Sequence, residues 1–306
     1  MDKPIPTFKE AILKDPELGE TVWNEYAARA QHNPVYKKLI KEGLYSDVAG
    51  ALGAVQDVVW AAAYPKFIGR EIIKVIPTKN ALERFPKELR AYAWEGEGPA
   101  YDTGARPEMQ DVKADKELSS KKEWTESFAE DASWNVLQWQ IEAIGKALAR
   151  LETEKVIAAY NGIAAASLAG GAEKTITAGA PTWAQIIDLV EAVDGEDFST
   201  TVVAMKAAEF GGLMKLDNFI SSLYRNPSDM RNGVVYHTSL GVTFVRSSLL
   251  TKSLAIDIGS AGVMLLRRDV TTKPYEDSGR NMYGVFGTER IGVGILRTKA
   301  VARGTN

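Results

Sequence analysis

The sequence predicts an α+β fold, with helices first, strands last and one long polar excursion between them. Three observations lead there. Apolar residues recur at helical spacing over residues 131–161. Several β-rich segments crowd the region after residue 200. Between the early elements and the long helix lies WEGEGPAYDTGARPEMQDVKADKELSSKKEW, Trp94 to Trp124, which has few apolar residues, no helical repeat and many turn formers.

Composition bounds the function. The chain has 306 residues, 45% hydrophobic and 25% charged, which suffices for one large core or two domains. A formal net charge of -3 gives little support to an overall nucleic-acid-binding role. Without cysteine there are no disulfides, thiol nucleophiles or Cys-ligated zinc. His32 and His237 lie far apart and neither has metal-motif spacing, so both read as surface or structural histidines. Met1 to Asp15 lacks a signal-peptide core, and no stretch approaches the 18 or so apolar residues of a membrane span. No metal, cofactor or catalytic residue is expected.

Each element has its own signal. Residues 1–53 read as an amphipathic helical arm, with Val22, Trp23, Tyr26, Ala27 and Ala30 at three- and four-residue steps and a break at Asn33-Pro34. Residues 54–77 read as a short helix or strand to Tyr64, then a strand from Arg70 to Ile76. Residues 78–125 read as an extended hairpin: Leu89–Trp94 goes out, Lys121–Glu130 comes back, and Gly96, Gly98, Pro99 and Gly104 break the path between them. A bare two-stranded ribbon is marginal in water, so it needs another surface to lie on. Leu137, Ile141, Ile144, Leu148 and Leu151 make one stripe on a long helix, with Asp131 as N-cap and Asn161-Gly162 as stop; Trp134 and Trp139 lie off that stripe. Residues 163–181 form a small-residue linker in which Gly170-Gly171 lacks the Lys-Ser/Thr of a phosphate loop. Thr182 and Gln185 form a capping box for a helix ending at Gly195. A buried strand, Thr200–Met205, leads into a helix through about Met214. The β segments GVTFVRS, SLAIDIG, AGVMLLRRDVT and MYGVFGTERIGVGILRTKAV follow.

The order of these elements resembles the HK97-fold major capsid proteins of tailed bacteriophages and head-tail viruses. Four stretches carry the likeness, over about residues 55–302: KKEWTESFAEDASWNVLQWQIEAIGKALARLETEKVIAAYNG, PTWAQIIDLVEAVDG with TTVVAMKAAEF, SSLLTKSLAIDIGSAGVMLLRRDVTT, and GVFGTERIGVGILRTKAV. The resemblance implies an N-terminal arm (1–53) and a peripheral domain (54–77 and 126–181) with a spine helix at 131–161. It implies an extended loop (78–125) lying across an adjacent subunit, an axial domain (182–275), and C-terminal strands (276–306) returning to the peripheral domain. The implied function is self-assembly, as pentamers and hexamers, into an icosahedral shell around a double-stranded DNA genome. The shell would be a virion capsid assembled in the host cytoplasm, with no membrane partner. Separate scaffolding, portal and decoration proteins are the further partners implied. Scaffolding is expected to be separate because the Met start lies only about 75 residues before the hairpin. Some members cross-link through a loop Lys, an Asn and a Glu; Lys113, Lys116 and Asn281 are present, but no motif fixes a pairing and that chemistry is not carried over.

Trp94, Tyr101 and Arg106 are the expected inter-subunit anchors, since aromatics and Arg favour that role; exposed tip residues of no energetic weight are the alternative. Met282–Asn306 carries Arg290, Arg297, Lys299 and Arg303 against Glu289. Arg297, Lys299 and Arg303 could face packaged DNA through its phosphates or be solvated strand charges. Two rival readings stand: an encapsulin-type nanocompartment enclosing cargo enzymes, and an α+β enzyme with a lid at 95–120 using Glu95, Glu97 and Asp102.

Overall fold

The computed structural model describes residues 49–63, 67–87, 108–125, 128, 134–216, 234–237, 240–277, 279–280 and 282–305. These fall into two compact units. Unit one holds the described residues of 1–67, 117–151 and 268–289, and unit two holds those of 68–116, 152–267 and 290–306. Of the helical arm expected over residues 1–53, residues 49–53 open one helix that runs on to Ala63, across the expected boundary, and the rest lies outside the described residues.

Helix α1 (Ala49–Ala63) occupies the segment read as helix or strand. A short α2 (Ile68–Glu71) then stands where a strand from Arg70 was expected, and β1 covers only Lys74–Pro77. The helical turn wins because Gly69 packs against α3 (Trp134–Asn161): its N–H donates to Thr153 Oγ1 at 3.2 Å, and an added Cβ would sit 3.1 Å from the Thr153 Cα. Arg70 then forks onto Glu152, Nη2 to Oε2 at 2.8 Å, with the carboxylate wholly buried.

Helix α3 has 28 residues, a rod of about 42 Å. Its predicted stripe is buried at Ile141, Ile144 and Leu148 in unit one. In unit two the buried side is Glu152, Thr153, Val156, Ile157 and Tyr160, and the Tyr160 hydroxyl donates to the carbonyl oxygen of Ile72 at 2.8 Å. Burial pushes that phenol's pKa well above its ordinary value. The helix ends where Asn161-Gly162 predicts, with Gly162 N–H donating to the carbonyl oxygen of Ala158.

Unit two is built on a six-stranded sheet. Its strands are β5 (Lys174–Thr175), β6 (Val202–Lys206), β7 (Val234–His237), β8 (Val242–Ser247), β9 (Ser253–Ile256) and β12 (Val301–Thr305), in the order β5-β12-β9-β6-β8-β7. β6 is central, parallel to β8 and antiparallel to β9, and its run Val202, Val203, Ala204, Met205 is entirely buried. A near-continuous apolar run is what a strand covered on both faces requires. Helix α4 (Trp183–Asp194) starts on the predicted capping box: Thr182 Oγ1 accepts from Gln185 N–H at 3.3 Å and Gln185 Oε1 accepts from Thr182 N–H at 3.1 Å. It buries Ile186, Leu189, Val190 and Val193, which join Val203, Met205, Phe244 and Ala302 in one core with Phe210 of α5 (Ala207–Leu213).

One strand outruns the segment read for it, 261–271, and the next stops before the end of its own, 282–301. β10 (Gly262–Asp277) and β11 (Met282–Ile295) are neighbours in a four-stranded sheet of order β1-β10-β11-β4, where β4 is Lys116–Thr125. A connection of four residues, 278–281, makes them a hairpin, because parallel neighbours need a far longer crossover. In unit one, Gly287 lies where a Cβ would meet Ile144 Cγ2 (2.6 Å) and Leu148 Cδ1 (3.1 Å), so α3 covers that face of β11.

Candidate functional site

The polar excursion has a well-ordered root. β2 (Leu82–Pro86) pairs antiparallel with β3 (Met109–Lys113), in register from Leu82↔Lys113 to Pro86↔Met109. One further rung follows, Lys87 N–H to the carbonyl oxygen of Glu108 at 2.8 Å, and the two side chains form an ion pair. Arg84 and Asp111 pair across the strands at 3.0 Å. Val112 and Ala114 are buried against Val263 and Leu265, with Ile76, Phe85 and Leu296 packed around them. β11 accepts this layer only because it is glycine there: a Cβ on Gly292 would fall on the carbonyl of Lys113, and one on Gly294 on the Val112 side chain. Arg290 Nε donates to the carbonyl oxygen of Ala114 at 3.0 Å.

The expected anchors Trp94, Tyr101 and Arg106, the strand Leu89–Trp94 and the carboxylates Glu95, Glu97 and Asp102 lie outside the described residues, as does Asn281. The strand expected to come back, Lys121–Glu130, is not the return limb: β2 pairs with β3, whereas β4, which covers its first residues, lies beside β11 in the four-stranded sheet, and Lys113 at the end of β3 and Lys116 at the start of β4 are exposed.

The C-terminal basic residues have intrachain partners. Arg303 is 5% exposed; it pairs with Glu173 at 2.6 Å, and its Nη1 donates to the carbonyl oxygens of Asn161 (2.8 Å) and Tyr160 (3.3 Å). It therefore has no face turned to a polyanion, and neither the DNA-facing nor the solvated expectation describes it. Arg297 Nε donates to the carbonyl oxygen of Lys87 at 2.9 Å, with Nη1 and Nη2 toward those of Ser260 (3.3 Å) and Pro86 (3.4 Å). Lys299 pairs with Glu196 at 2.9 Å and is partly exposed. These partners are distant in sequence, so charge counting found the residues without finding their roles.

Glu173 takes two cations. Hydrogen bonds from Lys252 first and Arg303 second hold its carboxyl below the ordinary value, against some desolvation. Lys299, assisted by the Gly170 N–H, does the same for Glu196. A depressed folded-state pKa gives stability that is complete above the unfolded value, near 4.3 for Glu, and disappears as pH falls through the folded value. Melting temperature should therefore drop below pH of about 4.3, and Glu173→Gln should lower it at neutral pH while flattening that acid slope.

One large apolar residue stands out. Trp139 on α3 is 67% exposed, while Ile141 and Ile144 beside it are buried. The sequence signal was its position off the apolar stripe. Among the described residues Met109 (49%) and Phe128 (39%) are the other exposed large hydrophobics.

Comparison with known proteins places the fold. The sequence profile of the phage capsid family matches residues 56–306. Similar solved structures include the capsid of a native GTA particle, at 15% identity over 78% of this chain and 89% of that one, with a TM-score of 0.56. A chain of Mycobacterium phage Che8 matches at 16% identity over 74% and 85%, with a TM-score of 0.55. A virus-like particle from Pyrococcus furiosus matches at 11% identity over 81% and 97%, also at 0.55. No curated protein matches. At such identities the structures speak for the fold alone, and they agree with the expected mixed helix-and-sheet, HK97-like class. Because the profile runs from within α1 to the last strand, the chain belongs to the phage capsid family.

Proposed function

We propose that the chain is a major capsid protein, the repeating subunit of an icosahedral shell built of pentamers and hexamers around double-stranded DNA. The observation that carries this reading is the family match over residues 56–306, which takes in most of both units. Within it, Trp134–Asn161 serves as the spine of a peripheral domain, residues 182–275 supply mostly the axial domain, and β11 returns to the peripheral domain, while Val301–Thr305 pairs with β9 in the sheet of the axial domain. Residues 78–125 lie across a neighbouring copy, with Trp94, Tyr101 and Arg106 as anchors. The rooted hairpin Leu82–Lys113 supports that placement, since its ladder delivers the polar excursion from a fixed base. Portal, scaffolding and decoration proteins are its further partners, and assembly occurs in the host cytoplasm. The family favours a phage shell over a cargo-enclosing nanocompartment and a structural role over a lidded enzyme.

The test is direct. Purified recombinant chain, alone or with its scaffolding protein, should sediment in the megadalton range and appear as closed shells by electron microscopy. A small oligomer under both conditions would sink the reading. Trp139 supplies a finer check, because an exposed Trp on a subunit surface is the residue type that dominates interfaces. Trp139→Ser should leave subunit melting within a few degrees of wild type and raise the concentration needed for shells by about tenfold, measured by light scattering.

A further inference from the structure

The ladder of β2 and β3 ends at Lys87 and Glu108 in a root whose last rungs have little beneath them. Val112 and Phe85 are the outermost packed residues of the pair, and Met109 is half exposed. The ion pairs across the root, Arg84 with Asp111 and Lys87 with Glu108, are exposed and hold strand to strand. Such pairs contribute little, and neither ties the root to the body of the unit. Under the root lies a cavity of about 660 Å³ whose wall includes Lys87, Glu108, Ser260, Leu296 and Arg297.

One side chain spans the gap. Arg297 follows the end of β11 and is fixed by its own backbone, Leu296 and Arg297 N–H both donating to the carbonyl oxygen of Ala261 at 2.8 and 3.1 Å. Its guanidinium then reaches the carbonyl oxygens of Lys87 and Pro86 at the root and of Ser260 on the adjoining turn. A planar fork with five donors suits several carbonyls at once; an ammonium does not.

We propose that Arg297 is a positioning residue for shell assembly: it clamps the root at Pro86 and Lys87 to the 260–261 turn and so sets the direction in which the excursion leaves the subunit. The proposal rests on the capsid reading above. Twenty residues, 88–107, lie beyond the root. A change of angle at the root therefore alters where all twenty of them are presented to a neighbouring copy. The clamp uses backbone carbonyls, so it fixes direction whatever side chains the excursion bears.

The test uses the full chain and reads the root separately from the shell. In unassembled Arg297→Ala subunits, hydrogen exchange at the Lys87 amide should speed by about tenfold, the effect of losing one charge-assisted bond, while amides of β6 keep their protection. Arg297→Lys should not restore it, and Lys299→Met on the same turn should leave Lys87 unchanged. Under conditions where wild type closes, Arg297→Ala should give open or misshapen products in electron micrographs at a melting temperature near wild type. Unchanged exchange at Lys87, an equal rise across all of unit two, or normal closed shells from Arg297→Ala would overturn the proposal. If wild type itself forms no shells, the capsid reading fails while the exchange result still decides whether Arg297 clamps the root.

Discussion

Arg303→Met should destabilise the folded chain by about 3 kcal/mol, near the lower end of what removing one partner of a buried ion pair costs. The lower end applies because Glu173 keeps Lys252 and retains 18% side-chain exposure, so its charge is not stranded. The rest of the loss falls on α3. Its last carbonyls, at Tyr160 and Asn161, accept from the Arg303 guanidinium, which places a fixed cation on the negative end of the helix. Methionine matches the volume but offers no donor. The expected drop in melting temperature is about 6–12 °C for a domain of this size. Lys252→Met removes the more exposed arm of the same carboxylate and should cost under about 1 kcal/mol. Equal effects of the two substitutions in parallel melts would show that Arg303 is only another surface charge.

That residue also shows where the sequence stops being legible. Signals carried by near neighbours read correctly. Thr182 and Gln185 are three residues apart and fix the start of α4 unaided; Ile141, Ile144 and Leu148 mark the buried side of α3 by spacing alone. The run Val202–Met205 has the unbroken apolar texture of a central strand. What failed depends on neighbours far along the chain. Gly284, Gly287, Gly292 and Gly294 carry no signal of their partners within the β segment read over 282–301. In the structure they are the imprint of crowding, each lying where a side chain would collide with Lys122, α3, Lys113 or Val112. The strand expected from Arg70 yields to α2 because Gly69 and Arg70 answer to Thr153 and Glu152, more than 80 residues away. Arg297 and Arg303 were visible as charges, but backbone carbonyls at residues 86–87 and 160–161 leave no trace in composition. The capsid resemblance succeeded because it rested on element order, which these local errors do not disturb.

Gly145→Val should be at least as damaging, by 3 kcal/mol or roughly more, through backbone rather than charge. Gly145 sits inside α3, where glycine costs a helix about 0.5–1 kcal/mol relative to alanine, so its presence needs a compensating reason. The reason is α1. A Cβ at this position would land on the carbonyl oxygen of Val59 and 3.1 Å from the amide nitrogen of Ala63, both on a helix whose inward side chains are wholly buried. Backbone atoms cannot rotate away as a side chain end can, so the helices must separate. Separation then loosens Val59, Ala63, Ile141 and Ile144 together, at about 25 cal/mol for each Å² of apolar surface re-exposed. Gly145→Ala should show the same sign at smaller size, the contact outweighing the gain in helix propensity. Gly211→Ala is the matched control: it lies in α5 with nothing within 4 Å of the added carbon, so propensity acts alone and should stabilise by about 0.5–1 kcal/mol. Denaturant titrations of the three variants decide the matter, because a Gly145→Ala chain stabilised as much as Gly211→Ala would mean that α1 and α3 do not meet at this glycine.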